Sequence, residues 1–209
     1  MIYYFAAAAL GYLIGSIPTA FIFAKALKGI DIRQCGSGNV GATNVFRTIG
    51  KGPGIAVFVI DFVKGFAAVL IVPALVNGIL MNREPLSDWA RIVPGVAAIL
   101  GHIWTIFLSF KGGKGVSTTA GVMAALAPLI FISGLGTWLI VFRISGYVSL
   151  ASIAAAISLP IASLVLGEGS GFIALSGVLC VLGVFSHRTN IKRLMNGTEN
   201  KFVKHKKAR

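Results

Sequence analysis

Long runs of apolar residues constrain this chain more than any other feature. A helix that spans a membrane needs about 20 predominantly apolar residues. Five runs approach or exceed that length, at residues 2–24, 53–76, 92–110, 147–166 and 171–186. Hydrophobic residues make up 56% of the 209 residues and charged residues only 12%, which is more apolar surface than a soluble domain of this size can bury. The sequence therefore predicts an all-α integral membrane protein.

The distribution of Lys and Arg predicts how these runs are oriented, because cytoplasmic loops carry an excess of basic residues. Basic residues gather in the links after the first and third runs and in the tail. They are Lys25, Lys28, Arg33, Arg47 and Lys51, then Lys111 and Lys114, then Arg188, Lys192, Arg193, Lys201, Lys204, Lys206, Lys207 and Arg209. We place these three segments in the cytoplasm. The N-terminus and the mixed-charge loop 77–91, with Arg83, Glu84 and Asp88, are then outside.

The stretch 116–143 decides the number of spans. A single crossing would put the basic tail outside, against the charge bias, so we predict two short, broken helices there. Pro128 and the run Ser133-Gly134-Leu135-Gly136 are the available breaks, with a return to the cytoplasm at Arg143. The prediction is about seven transmembrane helices in one domain of residues 1–209, in which 187–209 form a basic cytoplasmic tail.

The stretch QCGSGNVGATN, residues 34–44, contains the pattern G-x-G-x-x-G. Asp61 follows Gly41 by 20 residues, which is the spacing of the ribose-binding acid in a dinucleotide domain. We reject that interpretation because no β-run precedes the glycines and Asp61 lies in an apolar run. The glycines instead predict successive N–H groups that point into one concavity and bind an anion. An ordinary polar loop is the alternative.

A second glycine cluster, FKGGKGVSTT, occupies residues 110–119. It lacks the Walker order because Gly115 follows Lys114 where Ser or Thr should stand. Two lysines, free N–H groups and a following helix N-terminus still predict a phosphate site. The alternative is that the lysines only anchor the topology, a role that needs no glycines.

A third polar cluster, HRTNIKRLMNGTENK, opens the tail at residues 187–201. If the segment is helical, His187 and Asn190 share one face. The alternatives are an interfacial histidine and a tail that only binds lipid. By the topology above, all three clusters face the cytoplasm.

Other polar residues lie within or beside the apolar runs. Asp61 and Lys64 are three residues apart, and we interpret them first as a structural salt bridge and second as part of a site. The serines are interpreted as cavity lining or helix packing, and the two cysteines as free thiols without metal-ligand spacing. These residues are Ser145, Ser149, Ser152, Cys35 and Cys180.

The three clusters together, GSGNVGATN with Arg47, GH…FKGGKGVST and HRTNIKRLMNGTENK, resemble the bacterial membrane glycerol-3-phosphate acyltransferases that use acyl-phosphate as donor. The resemblance implies transfer of a fatty acyl group to the 1-position of glycerol 3-phosphate, giving lysophosphatidic acid and inorganic phosphate in phospholipid synthesis. It implies no metal and no cofactor, and a multi-pass location in the bacterial inner membrane with the active site on the cytoplasmic side. Expected partners are the two substrates, membrane lipids and a functional link to the enzyme that makes acyl-phosphate, with no nucleic acid.

The resemblance also assigns residues. The catalytic and phosphate-binding centre is Ser37, Arg47, Lys114, His187 and Asn190. Its surroundings are Gly38, Asn39, Thr43, Asn44, Lys111, Gly112, Gly113, Ser152, Glu199 and Lys201. The sequence departs from the family pattern at Trp104, Thr105 and Ser117, which places helix geometry in question but leaves the glycines and lysines intact.

The chemistry follows from what the sequence lacks. Neither His102 nor His187 has the Asp of a His-x-x-x-x-Asp motif, which other acyltransferases use. An acyl-phosphate is already activated, so we favour proton transfer to a substrate phosphate, with His187 as general base the second interpretation. The alternative function is an organophosphate transporter, since broken helices and a basic cavity also suit anion translocation.

Overall fold

A computed structural model describes residues 1–80 and 87–202, and in these ranges the regular elements are helices, with no strand. The chain divides into two compact units, Met1–Pro128 and Leu129–Arg209. Several charges used to predict the topology lie outside the described residues, namely Arg83, Glu84, Lys204, Lys206, Lys207 and Arg209. The prediction of one domain over residues 1–209 stays a prediction.

Six α-helices build the first unit. They are α1 (Ile2–Ser16), α2 (Thr19–Lys28), α3 (Ala42–Thr48), α4 (Lys51–Ile79), α5 (Asp88–Ile103) and α6 (Val116–Leu126). Short 3-10 turns occur at Ile32–Gln34 and Ile106–Leu108. The first apolar run is thus two helices, because Pro18 has no N–H to continue the ladder and takes a non-helical ψ of 68°.

Helices of the first unit pack closely through small residues. A Cβ on Gly11 would collide with the backbone of Pro94, and one on Gly15 with the backbone of Ala98, so α1 lies directly against α5. Gly65 brings α4 equally close to α6. Small residues at such crossings are typical of membrane helices, where van der Waals contact drives association.

The second unit contains α7 (Pro128–Ser145, which begins at the unit boundary), α8 (Val148–Val165), α9 (Ser170–Ser186) and α10 (Arg188–Met195). The predicted break at Pro128 is confirmed, because α6 ends at Leu126 and α7 begins at the proline. The predicted break at residues 133–136 is wrong, since they lie inside α7. Gly134 is buried there and faces Leu159, so it serves helix packing.

Five helical segments in the described ranges are long and apolar enough to cross a membrane: Ile2–Lys28, Lys51–Ile79, Asp88–Leu108, Pro128–Ser145 and Val148–Val165. The pair α9 and α10, bent by 58°, makes a sixth if it counts as one span, and α6 is a shorter apolar helix. Large apolar side chains such as Ile140 and Ile144 are exposed, which suits contact with lipid. The chain is a multi-pass membrane protein, while the count of seven spans and the orientation of the termini stay predictions.

Candidate active site

The first glycine loop, residues 35–41, is organised around the buried side chain of Asn44. Gly36 and Gly38 take left-handed φ values of 59° and 71°, which favour glycine. Asn44 lies in the first turn of α3 and is 1% exposed. Its amide contacts four backbone groups: Nδ2 donates to the carbonyls of Ile32 (3.2 Å), Cys35 (3.0 Å) and Asn39 (3.0 Å), and Oδ1 accepts from the Ser37 N–H (3.0 Å).

Several N–H groups of this loop have acceptors within the loop or on Asn44. The N–H of Ser37 donates to Asn44, that of Gly38 to the Cys35 carbonyl (3.0 Å) and that of Gly41 to the Asn39 carbonyl (3.1 Å). The predicted concavity of N–H groups is therefore wrong for these three residues. The loop instead presents side chains, since Ser37 and Arg47 are exposed and Asn39 and Thr43 are half-buried.

The second glycine loop, residues 109–115, packs its backbone against the end of α5. The N–H groups of Gly112 and Gly113 donate to the carbonyls of Ile103 and His102, each at 3.0 Å. The prediction that these two N–H groups are open to a phosphate is therefore wrong. A Cβ on Gly113 would meet the Val40 carbonyl oxygen at 2.6 Å and the His102 ring. These glycines allow the first two motifs to lie against each other.

The lysines beside these glycines occupy different surroundings. Lys111 is exposed, whereas Lys114 is half-buried. Lys114 precedes the N-terminus of α6, whose N-cap is Gly115 with a left-handed φ of 78°. The predicted passage from the glycine pair into a helix N-terminus is confirmed, and this is where a helix favours negative charge.

A buried group of ionisable residues lies beneath the second loop. Lys64 Nζ is 2.8 Å from Asp61 Oδ1, and their side chains are 6% and 2% exposed, so the predicted salt bridge is confirmed. Lys64 Nζ also donates to the Ile17 carbonyl, at the break between α1 and α2 (3.1 Å). His102 Nδ1 lies 3.8 Å from Asp61 Oδ1. Sequence reasoning named His102 within the second motif but gave it no role in the site, because a contact between α4 and α5 leaves no periodic signal.

In the second unit, Glu199 connects three polar side chains. Oε1 accepts from Ser149 Oγ and Asn190 Nδ2, each at 2.7 Å, and Oε2 accepts from Arg193 Nε at 2.8 Å. We call these four residues the Glu199 cluster. Sequence reasoning did not place Ser149 and Arg193 in the site. Glu199 follows Arg193 by six positions, and the chain turns between them at Gly197, which has a left-handed φ of 68°.

Electrostatics keep Glu199 ionised. Burial acts to raise the pKa of its carboxyl, but hydrogen bonds from Arg193, Ser149 and Asn190, together with the Arg193 charge, outweigh it. The pKa of Glu199 therefore lies below its ordinary value. An ionised Glu199 is an acceptor only, which fixes the Asn190 amide with its nitrogen toward the carboxylate.

His187 stands at the junction of α9 and α10 and is 3% exposed, while Asn190 in α10 is 4% exposed. His187 Nδ1 lies 2.8 Å from the Gly183 carbonyl oxygen. Because a carbonyl only accepts, Nδ1 carries the proton, and Nε2 is the basic nitrogen of the neutral ring. The structure thus selects the tautomer of this histidine.

Two other predicted residues of the second unit make local contacts. Ser152 accepts from Trp138 Nε1 (3.1 Å) and donates to the Val148 carbonyl (2.9 Å), so its hydroxyl links α7 and α8. Lys201 places its ammonium 5.3 Å from the centre of the Tyr147 ring. Their roles toward a substrate stay predictions.

The predicted residues thus form two sets. The first unit holds Ser37, Gly38, Asn39, Thr43, Asn44, Arg47, Lys111, Gly112, Gly113 and Lys114. The second unit holds Ser152, His187, Asn190, Glu199 and Lys201. Within the first set, the packing of Gly113 on Val40 joins two motifs. Within the second, Glu199 joins the tail to Asn190.

Comparison with known proteins covers both units. Residues 5–197 match the family described as glycerol-3-phosphate acyltransferase. Relatives of that description include one from Synechococcus sp. (strain CC9902), 45% identical over 91% of each chain, and one from Desulforamulus reducens (strain ATCC BAA-1160 / DSM 100696 / MI-1), 44% identical over 91% of this chain and 90% of the relative.

Comparison with solved structures gives the same family. The chain is similar to the crystal structure of PlsY (YgiH), an integral membrane glycerol 3-phosphate acyltransferase, in its glycerol 3-phosphate form, with a TM-score of 0.83, 40% identity and 96% of each chain covered. The lysophosphatidic acid form of PlsY gives a TM-score of 0.81 and 39% identity, over 96% of this chain and 95% of that one. This chain therefore belongs to the glycerol-3-phosphate acyltransferase family of integral membrane enzymes.

Proposed function

We propose that this enzyme transfers a fatty acyl group from acyl-phosphate to the 1-position of glycerol 3-phosphate, releasing lysophosphatidic acid and inorganic phosphate. The observation that carries the proposal is the likeness, over nearly the whole of both chains, to an acyltransferase solved in its glycerol 3-phosphate form. The basic and polar groups of the three motifs suit two phosphate-bearing substrates. The enzyme works in the bacterial inner membrane, with its active site on the cytoplasmic side.

The reaction needs positioning and charge stabilisation more than an activated nucleophile. The hydroxyl oxygen of glycerol 3-phosphate attacks the acyl carbonyl carbon, and the bond from that carbon to the phosphate oxygen breaks. Phosphate leaves with the electron pair, and the hydroxyl proton moves to a phosphate oxygen. We assign Lys114 and Arg47 to the substrate phosphates and Ser37 to the reacting acyl group.

The second-unit residues orient the acceptor in this scheme. The contact of Nδ1 with the Gly183 carbonyl orients the His187 ring, and we assign this histidine to the glycerol hydroxyl. We assign Asn190, whose amide nitrogen donates to Glu199, to the same substrate. Proton transfer to a substrate phosphate remains the proposal, and His187 as general base is its competitor.

A donor competition tests the function. Purified protein in detergent is given glycerol 3-phosphate with acyl-phosphate, acyl-CoA or acyl carrier protein thioester. Acyl-phosphate should support formation of lysophosphatidic acid with equimolar phosphate release. Faster reaction with a thioester would contradict the assignment of acyl-phosphate as donor. If no donor gives an acylated product, the proposed acyl transfer is contradicted and an organophosphate transporter becomes the alternative.

His187→Gln tests the proton acceptor. Gln keeps a hydrogen-bonding side chain but cannot take the proton, so partial turnover is expected if the phosphate accepts it. A folded variant that binds glycerol 3-phosphate normally but shows no turnover at any pH would contradict substrate assistance.

Lys114→Ala should cost on the order of 2 kcal/mol of transition-state stabilisation, and near-normal activity would reduce this lysine to a topology anchor.

Labelling of introduced cysteines tests the location. A probe confined to the outside of intact cells should not react with a cysteine placed at Asn196. Reaction there would contradict the cytoplasmic placement of the third motif.

A further inference from the structure

His102 belongs to the second motif, but the site residues predicted from the motifs do not include it. It lies in the last turn of α5 and is 8% exposed. Its Nδ1 edge faces Asp61 Oδ1 at 3.8 Å. Its Nε2 edge lies against Gly113, because a Cβ on that glycine would collide with Nε2. The imidazole therefore fills the space between the buried Asp61–Lys64 pair and the second loop.

The backbone at the same point contacts the loop as well. The carbonyls of His102 and Ile103 accept the N–H groups of Gly113 and Gly112. Two residues of α5 thus contact two consecutive loop residues through hydrogen bonds, and the His102 side chain contacts the loop in addition. His102 therefore contacts the backbone between Lys111 and Lys114 through both its carbonyl oxygen and its ring.

The loop needs such support because its backbone is strained. Ser109 and Phe110 have φ values of 53° and 61°, in the left-handed region that bulky residues avoid. They directly precede Lys111. Conformations of this kind persist only where the surrounding contacts over-determine them.

The cavity beside this group is too small to be the substrate site. It is lined by Asp61, His102, Thr105, Gly112 and Gly113, among others. The volume that a water molecule can occupy in it is about 10 Å³. That is room for about one water and excludes a phosphate or a glycerol 3-phosphate. We therefore look for the role of this buried group in its contacts with the loop.

We propose that Asp61 and His102 are positioning residues for the second loop: the Asp61 carboxylate attracts the Nδ1 edge of the imidazole, and the Nε2 edge fixes Gly113 and thereby the lysines on either side. The importance of these lysines rests on the proposed function. Lys64 neutralises Asp61 in the membrane interior and, through Ile17, connects the same group to the break between α1 and α2. The competing interpretation is that the contact of Asp61 with His102 only stabilises the packing of α4 against α5.

Two amide substitutions at His102, each of which mimics one ring nitrogen, separate these interpretations. Gln places its terminal amide at about the reach of Nε2, whereas Asn places it at about the reach of Nδ1. Both remove the ring, so a purely structural role predicts similar thermal midpoints and similar kinetics. The positioning role predicts that His102→Gln stays within about threefold of the wild-type KM for glycerol 3-phosphate, while His102→Asn raises it by about tenfold or more.

Hydrogen–deuterium exchange gives a readout that does not need turnover. The Gly112 and Gly113 amides should be protected in wild type and in His102→Gln, and should exchange at least about tenfold faster in His102→Asn. Asp61→Asn keeps the side-chain size and the His102 residue but removes the charge that attracts the imidazole. It should therefore also accelerate exchange at these two glycines. Ser163→Ala, which removes a buried hydroxyl bonded within α8, is the matched control and should not change it.

The outcomes are distinct. If the Gly112 and Gly113 amides exchange at the wild-type rate in both His102 variants and in Asp61→Asn, the proposal is overturned. If His102→Asn or His102→Gln does not fold, the exchange rates of Asp61→Asn against Ser163→Ala decide it. A wild-type protein without acyltransferase activity would contradict the proposed function, yet the exchange experiment would still report whether His102 fixes the loop.

Discussion

The Asn44 loop in the first unit and the Glu199 cluster in the second unit both depend on one polar side chain, but they use it differently. Asn44 is a neutral amide that bonds four backbone groups. Glu199 is a carboxylate that bonds three side chains. The amide therefore sets a loop conformation, and the carboxylate sets side-chain orientations. Only the second arrangement depends on ionisation, so the two should respond differently to substitution and to pH.

The largest effect is expected from Glu199→Ala. Asn190, which is 4% exposed, would lose its charged acceptor, and Ser149 and Arg193 would lose theirs. We expect a loss of about 2 to 3 kcal/mol in the free energy of unfolding and turnover reduced on the order of 100-fold. Steady-state kinetics and thermal unfolding in detergent measure both. Glu168→Ala, in the loop between α8 and α9, is the control, and equal behaviour of the two variants would contradict the role of the cluster.

Asn44→Asp should have the next largest effect. It replaces the Nδ2 donor with an oxygen that faces the carbonyls of Ile32, Cys35 and Asn39, so repulsion replaces three hydrogen bonds. We expect destabilisation of about 2 kcal/mol, and more than for Asn44→Ala. Thermal midpoints of the two variants, with exposed Gln34→Ala as control, provide the comparison. A milder effect of Asp than of Ala would show that the amide nitrogen does not hold the loop.

Acid should weaken the Glu199 cluster and spare the direct contacts of Asn44. Because the folded-state pKa of Glu199 is lowered, its contribution to stability is present above its ordinary value of 4.5 and is lost as the pH falls through the folded pKa. The thermal midpoint of wild type should therefore approach that of Glu199→Gln below about pH 4.5. A difference between the two proteins that stays constant with pH would contradict this assignment.

The smallest effect is expected from Arg33→Ala. Arg33 makes a close pair with Asp31 on the surface, with Nη2 2.7 Å from Oδ2, but solvent screens exposed pairs. Turnover and thermal midpoint should match wild type within error. A marked loss would show that charge matters in the segment before the first loop as much as in the Glu199 cluster.

The sequence predicts the helices better than the contacts between them. Apolar runs located most spans, and Pro128 located a break, because length and missing N–H groups act locally. Residues 133–136 looked like a break because they contain two glycines, yet membrane helices tolerate glycine, and Gly134 lies against Leu159. Local signals cannot distinguish a packing glycine from a breaking one.

The same limit applies to the site. The motifs predicted which residues share a chemistry, and the i, i+3 spacing predicted the Asp61–Lys64 pair. The acceptors of the loop N–H groups could not be predicted, since those of Gly112 and Gly113 come from another helix. For the same reason no site role was predicted for His102, because its partners on α4 and in the second loop meet only in the folded unit.

The most direct test of the central claim follows the oxygen that joins the acyl group to phosphate. Acyl-phosphate carrying an isotopic label in that bridging oxygen is given to the purified enzyme with glycerol 3-phosphate, and the products are analysed by mass spectrometry. Attack at the carbonyl carbon predicts that all of the label appears in inorganic phosphate and none in lysophosphatidic acid. Label in free fatty acid, or phosphate released without lysophosphatidic acid, would contradict acyl transfer to glycerol 3-phosphate by this chain.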